Sequence, residues 1–246
     1  MNKMIAKRIG FIEAMTYELD ELVKRFTKEQ TKVEEIYGKK FYIVQYSNLE
    51  LIITLSGVGK VNSALTTTVM IMKYDPDIII NVGVAGGFKE GQKLLDLFIA
   101  EEFIYTDVDA TNFGFLPGQV PYDQPRYNNV SKELIQMIKE LESESKIPTK
   151  VHYGLLGSSD SFIRTDEQVQ KIKELFSDVA CVEMEGTSIA QICTKFNKPV
   201  LSIRSFSDIA IEKKDNTVDF ENLLEVATKT STDLCMALLD KISSQQ

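Results

Sequence analysis

Tryptophan is absent, histidine occurs once, at His152, and cysteine three times, at Cys181, Cys193 and Cys235. With a single imidazole, His-rich zinc sites, Ser-His-Asp relays and Cys-His pairs all depend on one residue, and paired-cysteine metal motifs are missing. Acid and base chemistry therefore falls to carboxylates, and no metal or cofactor is expected. The cysteines are well separated, and Cys193 and Cys235 lie in segments of helical periodicity, so all three read as small core residues in a reducing compartment. Basic residues are also scarce: 28 Lys and Arg against 36 Asp and Glu give a formal charge of −8. That balance argues against wrapping nucleic acid or docking on an anionic membrane, since both need a basic footprint to displace counterions. No apolar run reaches the roughly 18 residues of a membrane span, and the N-terminal apolar stretch is short and interrupted by Glu13. A cytoplasmic protein is expected.

What is present is ordinary for a globular chain: 246 residues, 43% apolar and 26% charged, enough to bury a sizeable core. No low-complexity linker divides it and no repeat recurs, so residues 1–246 read as one domain. Apolar runs at 8–15, 41–46, 51–55, 77–82, 94–100, 151–156, 179–182 and 200–206 read as strands, several of them buried on both faces. Between them Val61, Ala64, Leu65, Thr68, Val69 and Met72 recur at helical spacing, as do Leu134, Ile135, Ile138 and Leu141, then Phe220, Leu223, Leu224, Ala227, Leu234 and Leu238. The alternation implies an α/β fold with a largely parallel central sheet covered by helices. The longest stretch without periodicity, 106–129, carries Phe113, Phe115, Pro121, Tyr122 and Tyr127. Loops of that length are usually functional or interfacial, and its aromatics suggest a covering partner subunit.

In open α/β sheets, ligands bind beyond the carboxyl ends of the strands, which directs attention to the polar residues there. Ser56-Gly57-Val58-Gly59-Lys60 fails as a phosphate-binding P-loop: Thr54 and Val61 stand where a glycine and a Ser or Thr are needed. Gly83-x-x-Gly86-Gly87 follows a strand but lacks dinucleotide spacing. In both, glycine permits a tight turn and close backbone approach. Glu183-Met184-Glu185 ends an apolar strand. One acid there could simply favour the N-terminus of the following helix, whereas two suggest a partner or ligand, because burying charge requires one. Arg204 and Asp208 end another strand, and on composition a structural ion pair between them is the plainer reading.

Taken in order, RIGFIEAM with Glu18 three residues on, SGVGKVNSA, NVGVAGG, DVDATNFGF, SSDSFI, VEMEGTSIA and RSFSD ending at Asp208 resemble the 5′-methylthioadenosine/S-adenosylhomocysteine nucleosidases of the nucleoside phosphorylase superfamily. The likeness covers nearly the whole chain. It implies a three-layer α/β/α domain with a mixed, largely parallel central sheet, and hydrolysis of the adenine–ribose bond of 5′-thio-substituted adenosines in methionine salvage. By resemblance, Asp208 is the general acid towards adenine N7, oriented by Ser207; Glu185, beside Met184, steadies the cationic ribose and grips its hydroxyls. Glu18 activates water with Arg204 helping to hold it. Phe162 stacks on adenine, the Ile163 backbone reads its edge and Phe220 closes over it. Glu183 belongs to the same binding set. Met15 and Val58 line the 5′ pocket, completed by Phe113 and Pro121 of a second subunit, so a homodimer is part of the expectation. Two positions depart from the family: many relatives carry Gly where Glu13 stands and Ser where Val84 stands. Glu13 either faces outward or alters local packing and the pKa of Glu18; Val84 removes a hydroxyl that could position water or ribose. The competing readings are phosphate-dependent purine nucleoside phosphorolysis and nucleoside binding without catalysis.

Overall fold

The computed structural model describes residues 6–27, 29–212 and 220–245, with side chains in the last segment described from residue 223. In chain order the strands are β1 (Arg8–Glu13), β2 (Thr31–Ile36), β3 (Lys39–Tyr46), β4 (Leu49–Leu55), β5 (Ile78–Gly87), β6 (Leu97–Tyr105), β7 (Val151–Ser158), β8 (Val179–Glu183) and β9 (Val200–Ile209). The helices are α1 (Thr16–Lys24), α2 (Lys60–Tyr74), α3 (Lys132–Ser143), α4 (Asp166–Leu175), α5 (Gly186–Lys195) and α6 (Phe220–Ser244). The strands join in the order β2-β3-β4-β1-β5-β8-β7-β6-β9, and β9 pairs back onto β5, closing five strands into a ring. The sheet is mixed: β1 runs parallel to β4 and β5, while β5–β8 and β6–β9 are antiparallel.

Strand alternation sorts the apolar side chains onto two faces. Phe11, Ile80 and Ile203 pack with Leu134 of α3 and Leu238 of α6, whereas Ile12, Ile79 and Phe206 pack with Met70 of α2 and Ile189 of α5. Helices on both faces of the sheet give the three layers, and each fully buried Leu, Ile or Phe contributes about 1.5–3 kcal/mol. Local signals agree with this packing: the Ser131 hydroxyl caps α3 by accepting the Leu134 N–H at 3.3 Å, and Thr165 caps α4 the same way through Gln168.

The closed ring also brings two sets of strand ends together. Strand β8 runs against β5, yet the two touch only through Gly86↔Val182 and Gly87↔Cys181, so their carboxyl ends converge. Cys181, Cys193 and Cys235 are buried free thiols. His152 lies on β7, bonded to Asp96 at 2.8 Å and packed on the Phe206 ring. Among the described residues no helix is long and apolar enough to cross a membrane. The 106–129 segment is pinned at its far end by the Phe103–Tyr127 bridge but presents Phe113 and Tyr122 at 84% and 96% exposure.

Candidate active site

A cavity opens where the ends of β1, β4, β5, β7, β8 and β9 meet, and most of the residues singled out from the sequence line it. Met15 comes from the β1–α1 turn and Glu18 from the first turn of α1, Val58 from β4–α2 and Val84 from β5; Phe162 and Ile163 follow β7, Glu183 ends β8 with Met184 and Glu185 after it, and Arg204, Ser207 and Asp208 lie on β9. Phe113 and Pro121 do not line it. Phe220 begins α6, and its side chain lies outside the described residues. Leu224, one turn further along α6, lines the wall; its helical spacing marked it only as core.

Glu18 sits at the third position of α1 and reaches back over the start of the helix. It accepts the Ala14 N–H at 3.0 Å and the Met15 N–H at 2.8 Å, half of a capping box, and the Val84 N–H at 3.1 Å. Burial pushes its carboxyl up, opposed by Arg204 and by these three donors. The position of Glu18 depends on Gly83: a Cβ there would collide with Glu18 Oε1 and Arg204 Nη1, so glycine leaves the gap in which acid and guanidinium meet.

Arg204 is 1% exposed, and its partner is Glu183, not Asp208. The sequence-based expectation of an Arg204–Asp208 ion pair is therefore corrected. A shift of register between Ala85 and Gly86 pairs Phe206 with Ala85 but Asp208 with Gly86, so Ser207 is the unpaired residue and the direction of Asp208 changes. Arg204 Nη2 bonds Glu183 Oε2 at 2.6 Å and also Asn81, whose amide donates to the Ile12 carbonyl at 2.7 Å. Asn81, a lone polar residue in an apolar strand, is a site-supporting group that sequence reasoning passed over.

The two acids flanking Met184 have separate environments. Glu183 is saturated by the protein: besides Arg204 it accepts the Glu185 and Gly186 N–H groups at 3.0 and 2.7 Å and the Ser158 hydroxyl. Glu185 accepts the Gly59 N–H at 2.8 Å. Burial, reinforced by the charge of Glu183, pushes it up to about 8. The Gly59 donor was invisible to side-chain reasoning, although the strand-end Gly-x-Gly gave the cue for close backbone approach. Asp208 receives the Ser207 hydroxyl at 3.0 Å, and burial raises its carboxyl. Gly86 leaves room beside it, since a Cβ there would stand 3.0 Å from Asp208 Oδ2.

Glu13 is 0% exposed, which settles the alternatives left open by the sequence: it faces inward. Neither of its carboxyl oxygens has a hydrogen-bond partner among the described residues, and burial followed by the charge of Glu18 raises it well above the ordinary carboxylate value.

Residues 8–243 match the Phosphorylase superfamily. A 5′-methylthioadenosine/S-adenosylhomocysteine nucleosidase of Staphylococcus aureus is 40% identical over 234 residues, covering 95% of this chain and all of the relative. The chain belongs to that nucleosidase family. Among solved structures, the Colwellia psychrerythraea nucleosidase in complex with adenine is 34% identical with a TM-score of 0.88 over 96% of each chain. The Streptococcus pyogenes S-adenosylhomocysteine nucleosidase in complex with 5-methylthiotubericidin is 32% identical with a TM-score of 0.87, covering 98% of this chain and 99% of that one. A futalosine hydrolase of Helicobacter pylori is also similar, at 29% identity and a TM-score of 0.88 over 97% of this chain and all of that one. The nucleosidase fold and a hydrolytic N-glycosidase activity thus accompany the cavity.

Proposed function

We propose that this protein hydrolyses the N-glycosidic bond of 5′-methylthioadenosine and S-adenosylhomocysteine, releasing adenine and the 5-thio-substituted ribose. The observation that carries the reading is the convergence of three carboxyl groups, buried Glu18 and Glu185 and half-buried Asp208, in one cavity of a chain related to such nucleosidases. Asp208, whose carboxyl burial shifts towards the protonated form, donates its proton to adenine N7 as the bond between C1′ and N9 breaks. Glu185, ionised, faces the cationic ribose and accepts from its hydroxyls, with Met184 packed beside the sugar. Glu18 takes a proton from water as the oxygen attacks C1′, and Arg204 holds Glu18 and that water. Phe162 and Ile163 receive the adenine together with Phe220, while Met15 and Val58 receive the 5′ substituent. Glu183 binds by holding Arg204 and the turn that carries Glu185.

Phosphorolysis fits the cavity less well. Arg204 is the one cationic residue among its described lining groups, already paired with Glu183, and a phosphate dianion would also confront the carboxylates of Glu18 and Glu185. The exposed Phe113, with Val61, Leu65 and Met72 on α2, supports a homodimer in which Phe113 and Pro121 complete the neighbouring site. The protein is assigned to one catalytic domain in the cytoplasm, within methionine salvage. The deciding experiment measures adenine and sugar products with and without phosphate. Free 5-thioribose independent of phosphate is expected; a phosphate-dependent sugar 1-phosphate, or tight nucleoside binding without turnover, would refute the assignment.

A further inference from the structure

The Gly59-Lys60 pair that fails as a P-loop has another use. Gly59 is the N-cap of helix α2 and has no side chain to cap it, and the first turn of the helix contains no acid. Two carboxylates from elsewhere occupy that N-terminus instead. Glu185 Oε1 takes the Gly59 N–H at 2.8 Å and Asp160 Oδ1, from the loop after β7, takes the Lys60 N–H at 2.9 Å. The Lys60 ammonium folds back onto Asp107, from the loop after β6, at 2.8 and 2.9 Å, and lies 3.5 Å from Asp160. Asp107 also accepts the Asp160 N–H at 2.9 Å. Three loops are thus tied together beside the cavity, and Asp160 does not line it. Gly59 has φ 98°, and a Cβ on it would stand 3.1 Å from Asp160 Oδ1, so the carboxylate seats directly against this turn.

We propose that Asp160 is a positioning residue for Glu185: with Lys60 and Asp107 it clamps the first turn of α2 so that the Gly59 N–H stays on the Glu185 carboxylate. Anions at a helix N-terminus are favoured by its free N–H groups and dipole, and here one anion anchors the turn that serves the other. The Gly59 bond opposes the burial that pushes Glu185 towards its neutral form. The charged groups bearing on Glu185 are Glu183 on β8, Arg204 on β9 and Glu18 on α1; of these only Arg204 favours its ionisation. A loosened first turn therefore leaves Glu185 less ionised. One turn further on, Ser63 bonds Ser188 at 2.6 Å and keeps α2 docked on α5, so loss of the clamp leaves the helix in place.

The role assigned to Glu185 rests on the nucleosidase reading, so the test has one readout that does not depend on turnover. Amide hydrogen exchange at Gly59 is measured in wild type, Asp160→Ala and Asp160→Asn, together with adenine release from 5′-methylthioadenosine across pH and adenine affinity. Asp160→Ala is expected to speed Gly59 exchange and lower kcat roughly tenfold, the scale of one charge-assisted hydrogen bond, while moving the acid limb of kcat to higher pH. Adenine affinity stays unchanged because the base end of the cavity is untouched. Asp160→Asn retains the acceptor for Lys60 N–H and recovers most of both effects. Unchanged Gly59 exchange in Asp160→Ala overturns the clamp, whether or not the wild type turns over substrate. Equal losses in both variants, or adenine affinity falling in step with kcat, also overturn it. No adenine release from the wild type refutes the nucleosidase reading instead, and Gly59 exchange still decides the clamp.

Discussion

Glu13→Gln separates a buried acid from a buried amide of the same shape. Glu13 ends β1, wholly inside the protein, with neither oxygen hydrogen-bonded among the described residues and with Glu18 as a like-charged neighbour. Such a carboxyl stays protonated in the folded protein at pH values where the unfolded chain has released the proton. The unfolded value is close to 4.5, and the folded value lies well above it. Below pH 4.5 both states are protonated, and Glu13 adds no pH dependence. As pH rises beyond that point the unfolded state binds fewer protons than the folded one, so unfolding free energy falls with a slope of about 1.4 kcal/mol per pH unit. Over two units in which the folded protein holds its proton, wild type should lose about 3 kcal/mol relative to Glu13→Gln. The same slope from Glu18, Glu185 and Asp208 is common to both proteins and cancels in the difference. Urea unfolding of the pair from about pH 5.5 to 7.5 reads this directly, through midpoints at matched m-values. A difference that stays flat with pH would show that Glu13 is ionised in the fold and would refute the reasoning.

Three further outcomes concern the cavity. Asp208→Asn removes the proton donor and should lower adenine release by about 10²–10⁴ while adenine still binds; near-normal turnover in the purified variant would count against a general acid at this position. Gly83→Ala places a methyl group where Glu18 and Arg204 meet, so kcat should fall at least about 100-fold with a stability loss of about 1–3 kcal/mol, read by turnover and thermal melting. Because burial pushes Glu185 up to about 8 and the proposed mechanism uses its anion, kcat/KM should rise with pH through that region until Asp208 loses its proton; a flat profile from about pH 6 to about pH 9 would contradict the assignment.

The strands that build the site were legible because they are continuous apolar runs between turn residues, and their ends point to the cavity. Strand β2 escaped because Thr31–Ile36 is largely solvent-facing and carries charge, so neither apolar run nor alternation marks it. Helix α4 buries only Ile172, too little for an amphipathic stripe, and α1 is short and was masked by the apolar run before it. Among site groups, the acids were legible as residue types at strand ends. Which acid in Glu183-Met184-Glu185 is less tied up by the protein was not legible from the residues themselves, only the family resemblance pointing to Glu185, because it depends on Arg204 crossing from β9 and on backbone donors that no side-chain pattern records.

Those donors distinguish the chemical roles of five neighbouring carboxyl groups. Hydrogen bonds donated to a carboxylate favour its charged form, and burial without them favours the neutral form. Glu183 has Arg204, two N–H groups and the Ser158 hydroxyl, so its hydrogen-bonding capacity is taken up by the protein. Glu18 has three N–H groups with Arg204 nearby, which suits an anion ready to take a proton from water. Glu185 has one N–H group and can exchange ionisation for contact with a cationic sugar. Among the described residues Asp208 has only the Ser207 hydroxyl and Glu13 has no hydrogen-bond partner, so burial shifts both towards the neutral form. Of these two, Asp208 lines the cavity and can reach a leaving group, whereas Glu13 does not. In the proposed mechanism, base, anion and acid are thus separated by backbone geometry acting on one kind of side chain, in a protein whose single histidine lies elsewhere.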